Sequence, residues 1–224
     1  MDVSFLSILA LGFVLGIKHA IEPDHIIAVS TIASQSKKLS RSSLAGVFWG
    51  IGHTATLFIV GIILLILKGQ ISEKWAMSLE FLVGIMLVYL GITTILLKKN
   101  HNHEHNHEHN HEHAYQGGNA SYLKSLFIGF VHGIAGSGAM VILTMSTVKS
   151  VAESAFYIII FGCGTVIGML FFTTIIGIPF IISTKKVGLN RNLSQFTGVI
   201  STGFGIYYMY NLGVVEGLFK LWMQ

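Results

Sequence analysis

Five ionisable side chains stand within eight residues of an otherwise apolar segment, residues 16–29 (GIKHAIEPDHIIAV). They are Lys18, His19, Glu22, Asp24 and His25, with Pro23 between the two acidic residues. A single Asp or Lys at the centre of a membrane helix costs about 2.5–3.5 kcal/mol, so such a group needs a compensating partner or ligand. Neutral imidazoles and carboxylates are ligands of divalent transition metals, whose charge offsets that of the carboxylates. The segment therefore predicts a metal site inside the membrane.

Two further histidines lie in apolar stretches, His53 in GIGHTAT (50–56) and His132 in GFVHGIAGSG (129–138). Each one alone is typical of a buried histidine that is hydrogen-bonded to a neighbouring carbonyl. Together with Asp24 they favour a shared metal site, to which Glu22 and His132 are the weaker candidates. Glu22 can instead pair with Lys18, and Lys18 can neutralise Asp24 when no metal is bound.

A second metal-binding signal is the segment HNHEHNHEHNHEH (101–113), in which every second residue is histidine. Its seven imidazoles belong to His101, His103, His105, His107, His109, His111 and His113. The intervening residues are Glu and Asn, so the segment is too polar to pack into a core. It predicts a flexible, multidentate metal chelator, and the alternative is a spacer that binds metal incidentally.

The composition indicates the elements that must position these residues. Hydrophobic residues make up 52% of the 224 residues and charged residues only 11%, whereas a soluble domain is about one quarter charged. Apolar runs of membrane-spanning length predict an all-α integral membrane protein with six transmembrane helices. The predicted spans are 3–34, 42–67, 75–97, 122–148, 151–183 and 194–219.

The first predicted span is too long to cross a bilayer as one straight helix. A continuous helix over 3–34 would measure about 45 Å, against a hydrocarbon core of about 30 Å. Pro23 has no N–H to donate to the carbonyl of His19. We therefore expect the first helix to be broken near Pro23, which lets His19, Asp24 and His25 converge on one centre.

Basic residues are distributed unevenly between alternate loops. Loops 36–41, 98–124 and 184–193 hold nine Lys and Arg, and the opposite set holds four. This asymmetry predicts a multi-pass protein of the cell (plasma) membrane with the His-rich loop in the cytoplasm and both termini outside. The net charge of +4 then reflects topology, and nothing favours nucleic acid as a partner.

Three short stretches recur in the second half in the same order. LGFVLGI (11–17) resembles IGFVHGI (128–134), GIGHT (50–54) resembles FGCGT (161–165), and GIMLVYLG (84–91) resembles GFGIYYMY (203–210). Duplication of an odd number of spans places the second copy upside down in the membrane. We therefore predict two inverted three-helix repeats, 1–98 and 121–224, joined by the His-rich cytoplasmic loop 99–120.

Several function classes are disfavoured because the sequence lacks the motifs that they require. The single Cys163 cannot form a dithiol relay within this sequence, and the sequence contains neither a P-loop nor an H-E-x-x-H motif. A secondary transporter driven by ion gradients or the membrane potential, and not an enzyme, is the favoured class. A metal efflux transporter, a membrane metalloenzyme and a metal sensor without transport are the alternatives.

The residues of the first two spans match a known family. KHAIEPDH (18–25) is similar to the H-x4-D-H signature of the nickel/cobalt transporter (NiCoT/NicO-like) family, which usually follows a basic residue. GIGHT (50–54) resembles the Gly-His-Ser/Thr motif of that family's next span. HGIAGSGAM (132–140) departs from the family's Asp-Thr-Ala-Thr-Glu type segment, and six spans replace eight. These departures resemble the shorter, urease-associated UreH-like branch.

The resemblance implies both a ligand set and a substrate. It assigns metal recognition to His19, Asp24, His25 and His53, with nickel, or cobalt, as the transported substrate and no prosthetic group. Uptake across the cell membrane is the expected direction. The implied partners are the divalent metal ion, the lipid bilayer and cytoplasmic nickel chaperones or urease maturation proteins.

Overall fold

The computed structural model describes residues 3–67, 71–99, 118–147 and 150–224, and these ranges are helical almost throughout, with no strand. The helices are α1 (Val3–His19), α2 (Pro23–Ser34), α3 (Leu39–Ile66), α4 (Glu73–Lys99), α5 (Gly118–Thr147), α6 (Val151–Ser183), α7 (Val187–Tyr210) and α8 (Leu218–Met223). A short π-helical segment, Asn211–Val215, connects α7 to the turn before α8.

The predicted break in the first span is confirmed. α1 ends at His19, α2 begins at Pro23, and the two helices are bent by 56° relative to each other. Glu22 is extended (φ −61°, ψ 146°), as is usual for a residue before proline. Pro23 occupies the first turn of α2, where its missing N–H leaves no helical hydrogen bond unmade.

The other helices follow the predicted spans closely except at the C-terminal end. The predicted span 151–183 coincides with α6, and α3, α4 and α5 lie within a few residues of prediction. The predicted span 194–219 is not one continuous helix. α7 ends at Tyr210, and Gly217 has a left-handed backbone (φ 90°) that turns the chain into α8.

Long apolar helices and their outer surfaces identify a membrane protein. Within the residues searched, α3, the part of α4 from Glu73 to Leu96, and α6 are each long and apolar enough to span a bilayer. The bent pair of α1 and α2 can form a fourth span. Apolar side chains such as Ile63, Phe171 and Val199 are half or more exposed, which suits a surface that faces lipid. The number six and the repeat arrangement remain predictions.

The helices pack into two units. In the first, called the four-helix unit, α3 contacts both α5 and α6, and α6 also contacts α1. In the second, called the two-helix unit, α4 packs along α7. α2 lies between them and contacts α3 and α6 of the first and α4 and α7 of the second. The residues that carry chemistry can therefore meet where the units face each other.

Glycine allows α3 and α5 to approach until their backbones touch. A Cβ placed on Gly129 of α5 would overlap the backbone of Trp49, and one on Gly52 of α3 would overlap the carbonyl of Leu126. The Thr56 hydroxyl donates to the Phe130 carbonyl across the same interface, at 3.0 Å. Close backbones bring side chains on the neighbouring turns into contact, which places His53 beside His132.

Candidate metal centre

The break between α1 and α2 brings two imidazole rings and one carboxylate together. His19 is the last residue of α1, and Asp24 and His25 lie in the first turn of α2. The Glu22 N–H donates to the His19 carbonyl at 3.1 Å, so the connection stays hydrogen-bonded although the helix is interrupted. The His19 and His25 rings lie 4.4 Å apart between centroids. On one straight helix, at about 100° per residue, these side chains would diverge.

His53 from α3 and His132 from α5 complete a cluster of four imidazoles. The Nε2 atoms of His19 and His53 are 3.1 Å apart. The Asp24 carboxylate bridges two other rings, with Oδ1 at 2.9 Å from His25 Nδ1 and Oδ2 at 2.8 Å from His132 Nε2. Four helices thus contribute to one compact group of nitrogen and oxygen atoms.

The cluster offers two overlapping positions for a metal ion. Ligand atoms of His19, His25 and His53 all lie within 4.8 Å of one another, and so do those of Asp24, His25 and His132. His25 belongs to both sets. Two nitrogens that bind one ion at about 2.1 Å each and at right angles are about 3.0 Å apart. The separation of the His19 and His53 nitrogens, 3.1 Å, is of this size.

The imidazoles are buried, and several ring nitrogens lack partners. His25, His53 and His132 are at most 2% exposed. Within the part of the chain described, His25 Nε2, His53 Nδ1 and His132 Nδ1 have no hydrogen-bond partner. A buried polar atom without a partner costs about 1–3 kcal/mol. A metal ion bound to His25 Nε2 would recover that cost at this ring, whereas His53 and His132 use their Nε2 atoms in the cluster.

Carboxylates orient two of the rings from behind. Glu22 Oε2 lies 2.8 Å from His19 Nδ1, while the opposite nitrogen of that ring faces His53. Asp24 contacts Nδ1 of His25 in the same manner, which leaves Nε2 free. A carboxylate on the far nitrogen fixes the tautomer and orientation of a metal-binding histidine.

Lys18 forms no ion pair with Glu22 or Asp24, the two partners that the sequence suggested as alternatives. It is exposed, and Glu22 contacts His19 instead. Asp24 contacts His25 and His132. Among the described residues, no Lys or Arg lies within ion-pair distance of either carboxylate. The alternative pairings with Lys18 are not formed, because both carboxylates contact the imidazoles instead.

A cavity of about 210 Å³ adjoins the cluster. Its lining includes all six candidate residues, His19, Glu22, Asp24, His25, His53 and His132. Glu80 of α4 and Tyr208 of α7 complete its polar wall. The Glu22 side chain is 49% exposed, so the cavity is open to the outside of the molecule at that residue.

Sequence reasoning missed three residues around the cluster. Trp49 is fully buried and stacks on His53, with centroids 5.2 Å apart and an interplanar angle of 7°. Glu80 and Tyr208 face the cavity from the two-helix unit. A signal for Glu80 was present, because an acidic residue within a predicted span is itself a pointer to function. The His-rich segment 101–113 lies outside the described residues.

Fold and cluster together define an all-helical membrane protein with a buried imidazole and carboxylate centre. The chain belongs to the family described as the cytochrome c biogenesis protein transmembrane region, which matches residues 7–207. Cys163 is its single cysteine, so these 224 residues contain no cysteine pair.

Individual relatives extend this comparison. The chain is 63% identical to the urease accessory protein UreH of Bacillus sp. (strain TB-90), over all of this chain and 99% of that protein. It is 26% identical to the chloroplast proteins FOR GROWTH AND FERTILITY 1 and 2 of Arabidopsis thaliana, and spans 56% and 54% of their lengths. No solved structure shows significant similarity to the chain.

Proposed function

We propose that this protein is a secondary transporter that moves a divalent transition metal, nickel or cobalt, into the cell through the imidazole cluster. The observation that carries the proposal is the cavity, where four imidazoles and three carboxylates meet between membrane helices. Among the described residues no Lys or Arg pairs with these carboxylates. A cation is the ligand that such a cavity lacks.

The proposed ligands are His19, His25 and His53, with Asp24 either completing the shell or holding the His25 ring. Glu22 supports His19 from behind, and His132 binds the second oxygen of Asp24. Because His25 belongs to both possible ligand sets, an ion can pass from one set to the other without leaving all its ligands. Such an overlap suits transport, in which a site must bind and also release.

Nickel is favoured over other metals by two arguments. Imidazoles and carboxylates without a thiolate suit nickel, cobalt and zinc better than copper(I). The relative that shares 63% identity is named as a urease accessory protein, and delivery of nickel is one role such a protein can serve. Cytoplasmic nickel chaperones or urease maturation proteins are then the proposed recipients of the metal.

Helix contacts support the proposed inverted repeats. Adding 117 to a residue number in α1 gives the corresponding position in α5, and subtracting 108 from one in α6 gives the position in α3. Under this correspondence, three contacts between α1 and α6 have counterparts between α5 and α3. The pairs are Gly12–Tyr157 with Gly129–Trp49, Gly16–Phe161 with Gly133–His53, and Phe13–Gly164 with Phe130–Thr56. Reciprocal contacts of this kind are what a two-fold axis in the membrane plane produces.

The membrane potential can drive the proposed uptake. A divalent cation that moves inward gains about 4.6 kcal/mol per 100 mV, from about 2.3 kcal/mol per elementary charge. That energy supports roughly a 2000-fold accumulation.

Selectivity provides the test of this function. In proteoliposomes that contain a metal-sensitive dye, we expect an inside-negative potential to drive nickel influx, with cobalt and zinc as competitors and manganese as a poor one. Imidazole nitrogens hold manganese(II) least well among these ions. Manganese that outcompetes nickel would refute the ligand assignment, and absence of nickel flux would leave a receptor or sensor as the function. Flux only in the outward direction would indicate efflux.

The His-rich loop is proposed to tune transport and not to perform it. Replacement of its seven histidines by serine should leave influx at saturating nickel largely intact. Accumulation at limiting nickel should fall, because a tethered cluster of ligands raises the local ligand concentration. Loss of flux at saturating metal, in protein that is folded and inserted, would instead make the loop an obligatory relay. Unchanged accumulation at limiting metal would make it a spacer.

A further inference from the structure

Glu80 is a carboxylate that faces the cavity from outside the imidazole cluster. It lies on α4, and its Oε2 accepts a hydrogen bond of 3.4 Å from the Tyr208 hydroxyl of α7. No Lys or Arg of the described residues lies within ion-pair distance of it. The same cavity is lined by His25, which is 1% exposed and keeps Nε2 without a partner. A carboxylate without a cationic partner and an imidazole with a free Nε2 thus line one cavity.

The position of Glu80 places it toward the face of the membrane where α4 begins. It is seven residues after Glu73, the first residue of α4, which corresponds to about 10 Å along a helix. The C-terminal segment packs on the same turns, with Trp222 Nε1 donating to Ser78 Oγ at 3.0 Å. The π-helical segment Asn211–Val215 follows Tyr208 closely, and such wide turns are frequent at functional sites.

We propose that Glu80 and Tyr208 form a second, oxygen-donor position for a divalent transition-metal ion, which the ion occupies between that membrane face and the imidazole cluster. This inference rests on the proposed transport function. Carboxylate and hydroxyl oxygens hold a hydrated ion loosely, whereas imidazoles bind it after it loses water. Water occupies about 30 Å³ per molecule, so a cavity of about 210 Å³ has room for an ion with several of its waters.

An outer position of this kind acts on the rate at which metal arrives and not on the final affinity. A negative charge in a low-dielectric cleft raises the association rate of a cation by about 10- to 1000-fold. It also eases departure along the same route. Removal of the charge should therefore slow binding and release together and leave the equilibrium constant nearly unchanged.

Rapid mixing of nickel with the detergent-solubilised chain tests this directly. The seven loop histidines are replaced by serine so that only the membrane site binds metal. Trp75 and Trp222 are replaced by phenylalanine in all variants, so that Trp49 is the one tryptophan left. Quenching of its fluorescence then reports occupancy of the imidazole cluster, because the indole stacks on His53. We expect Glu80→Gln to slow association and dissociation each by about 10-fold, with Kd changed less than about threefold. Tyr208→Phe should have a smaller effect in the same direction.

Glu73→Gln is the matched control, because Glu73 is an exposed carboxylate in the first turn of the same helix. Glu80→Asp keeps the charge and should retain association within about threefold of the parent protein. Rates in Glu80→Gln equal to those in Glu73→Gln would overturn the proposal. Loss of equilibrium affinity as large as in His53→Ala would also overturn it, since Glu80 would then belong to the imidazole site.

The binding kinetics test the outer position, and the flux assay tests transport, so either proposal can be refuted without the other. A parent protein that binds nickel with these kinetics but carries no nickel into liposomes would refute transport and leave the outer position supported. A parent protein that transports nickel while Glu80→Gln matches Glu73→Gln in its rates would refute only the outer position.

Discussion

Replacement of His25 by alanine should abolish nickel transport, with flux reduced by more than about 100-fold. Loss of a group that only orients a ligand costs about 10- to 100-fold in affinity or activity, and His25 is the one residue shared by both possible ligand sets. Nickel influx into proteoliposomes measures the effect. Size-exclusion chromatography in detergent checks that the variant is folded.

The other cluster residues separate the two ligand sets. His19→Ala, His53→Ala and Asp24→Asn should each abolish flux as well, because the proposed site has no spare ligand. His132→Ala and Glu22→Gln should retain measurable flux, since these residues contact the proposed ligands from behind. Equal loss in His132→Ala and His53→Ala would mean that the site draws on ligands from both proposed repeats. A folded His25→Ala protein with near-normal flux would exclude His25 from the site altogether.

Gly129→Ala should be among the most damaging of the small substitutions in the helix interfaces. The added Cβ would overlap the backbone of Trp49, so α3 and α5 must separate. Overpacking of this kind costs about 1–3 kcal/mol. Separation also moves His53 away from His132. We therefore expect a lower thermal unfolding midpoint in detergent together with weaker nickel binding.

Gly203→Ala provides a control in which stability should not fall. Gly203 lies within α7, and a Cβ there meets no atom within 4 Å. Alanine is favoured over glycine in a helix by about 1 kcal/mol, so this variant should be as stable as the parent protein or more so. Equal behaviour of the two alanine variants would show that the contact between α3 and α5 is not as tight as the structure has it.

The sequence was most informative at Pro23, where the covalent structure of proline interrupts the helix beside potential metal ligands. Pro23 cannot continue the helix of residues 3–34, and the break lies between His19 and Pro23, as expected. Convergence of His19 and His25 followed from that break alone. His53 could be expected near them only through its residue type and setting, since no local rule fixes which helices touch.

Contacts between distant helices could not be predicted in the same way. The role of His132 as a partner of Asp24 depends on how closely α5 packs on α3, which glycine contacts decide. Glu80 and Tyr208 meet only because α4 packs on α7. Under the proposed repeat, the contacts of α6 with α1 require a shift of 108 residues, whereas matching short motifs gave 111. The two offsets differ by about one helical turn. Two glycine-rich helices still resemble each other after such a shift, so their composition does not determine which residues correspond.

The division into two packing units has a mechanical consequence. In the four-helix unit, glycine contacts fix α1 on α6 and α3 on α5, and a hydrogen bond of 2.7 Å between Ser43 and Thr174 ties α3 to α6. In the two-helix unit, Ser201 donates to the Leu87 carbonyl at 2.7 Å. Each unit is therefore held together by close contacts of its own. The cavity is lined by residues of both units and of α2. Under the proposed transport function, rocking of one unit against the other would open the proposed metal site to alternate sides of the membrane, with α2 and its Asp24 and His25 at the pivot.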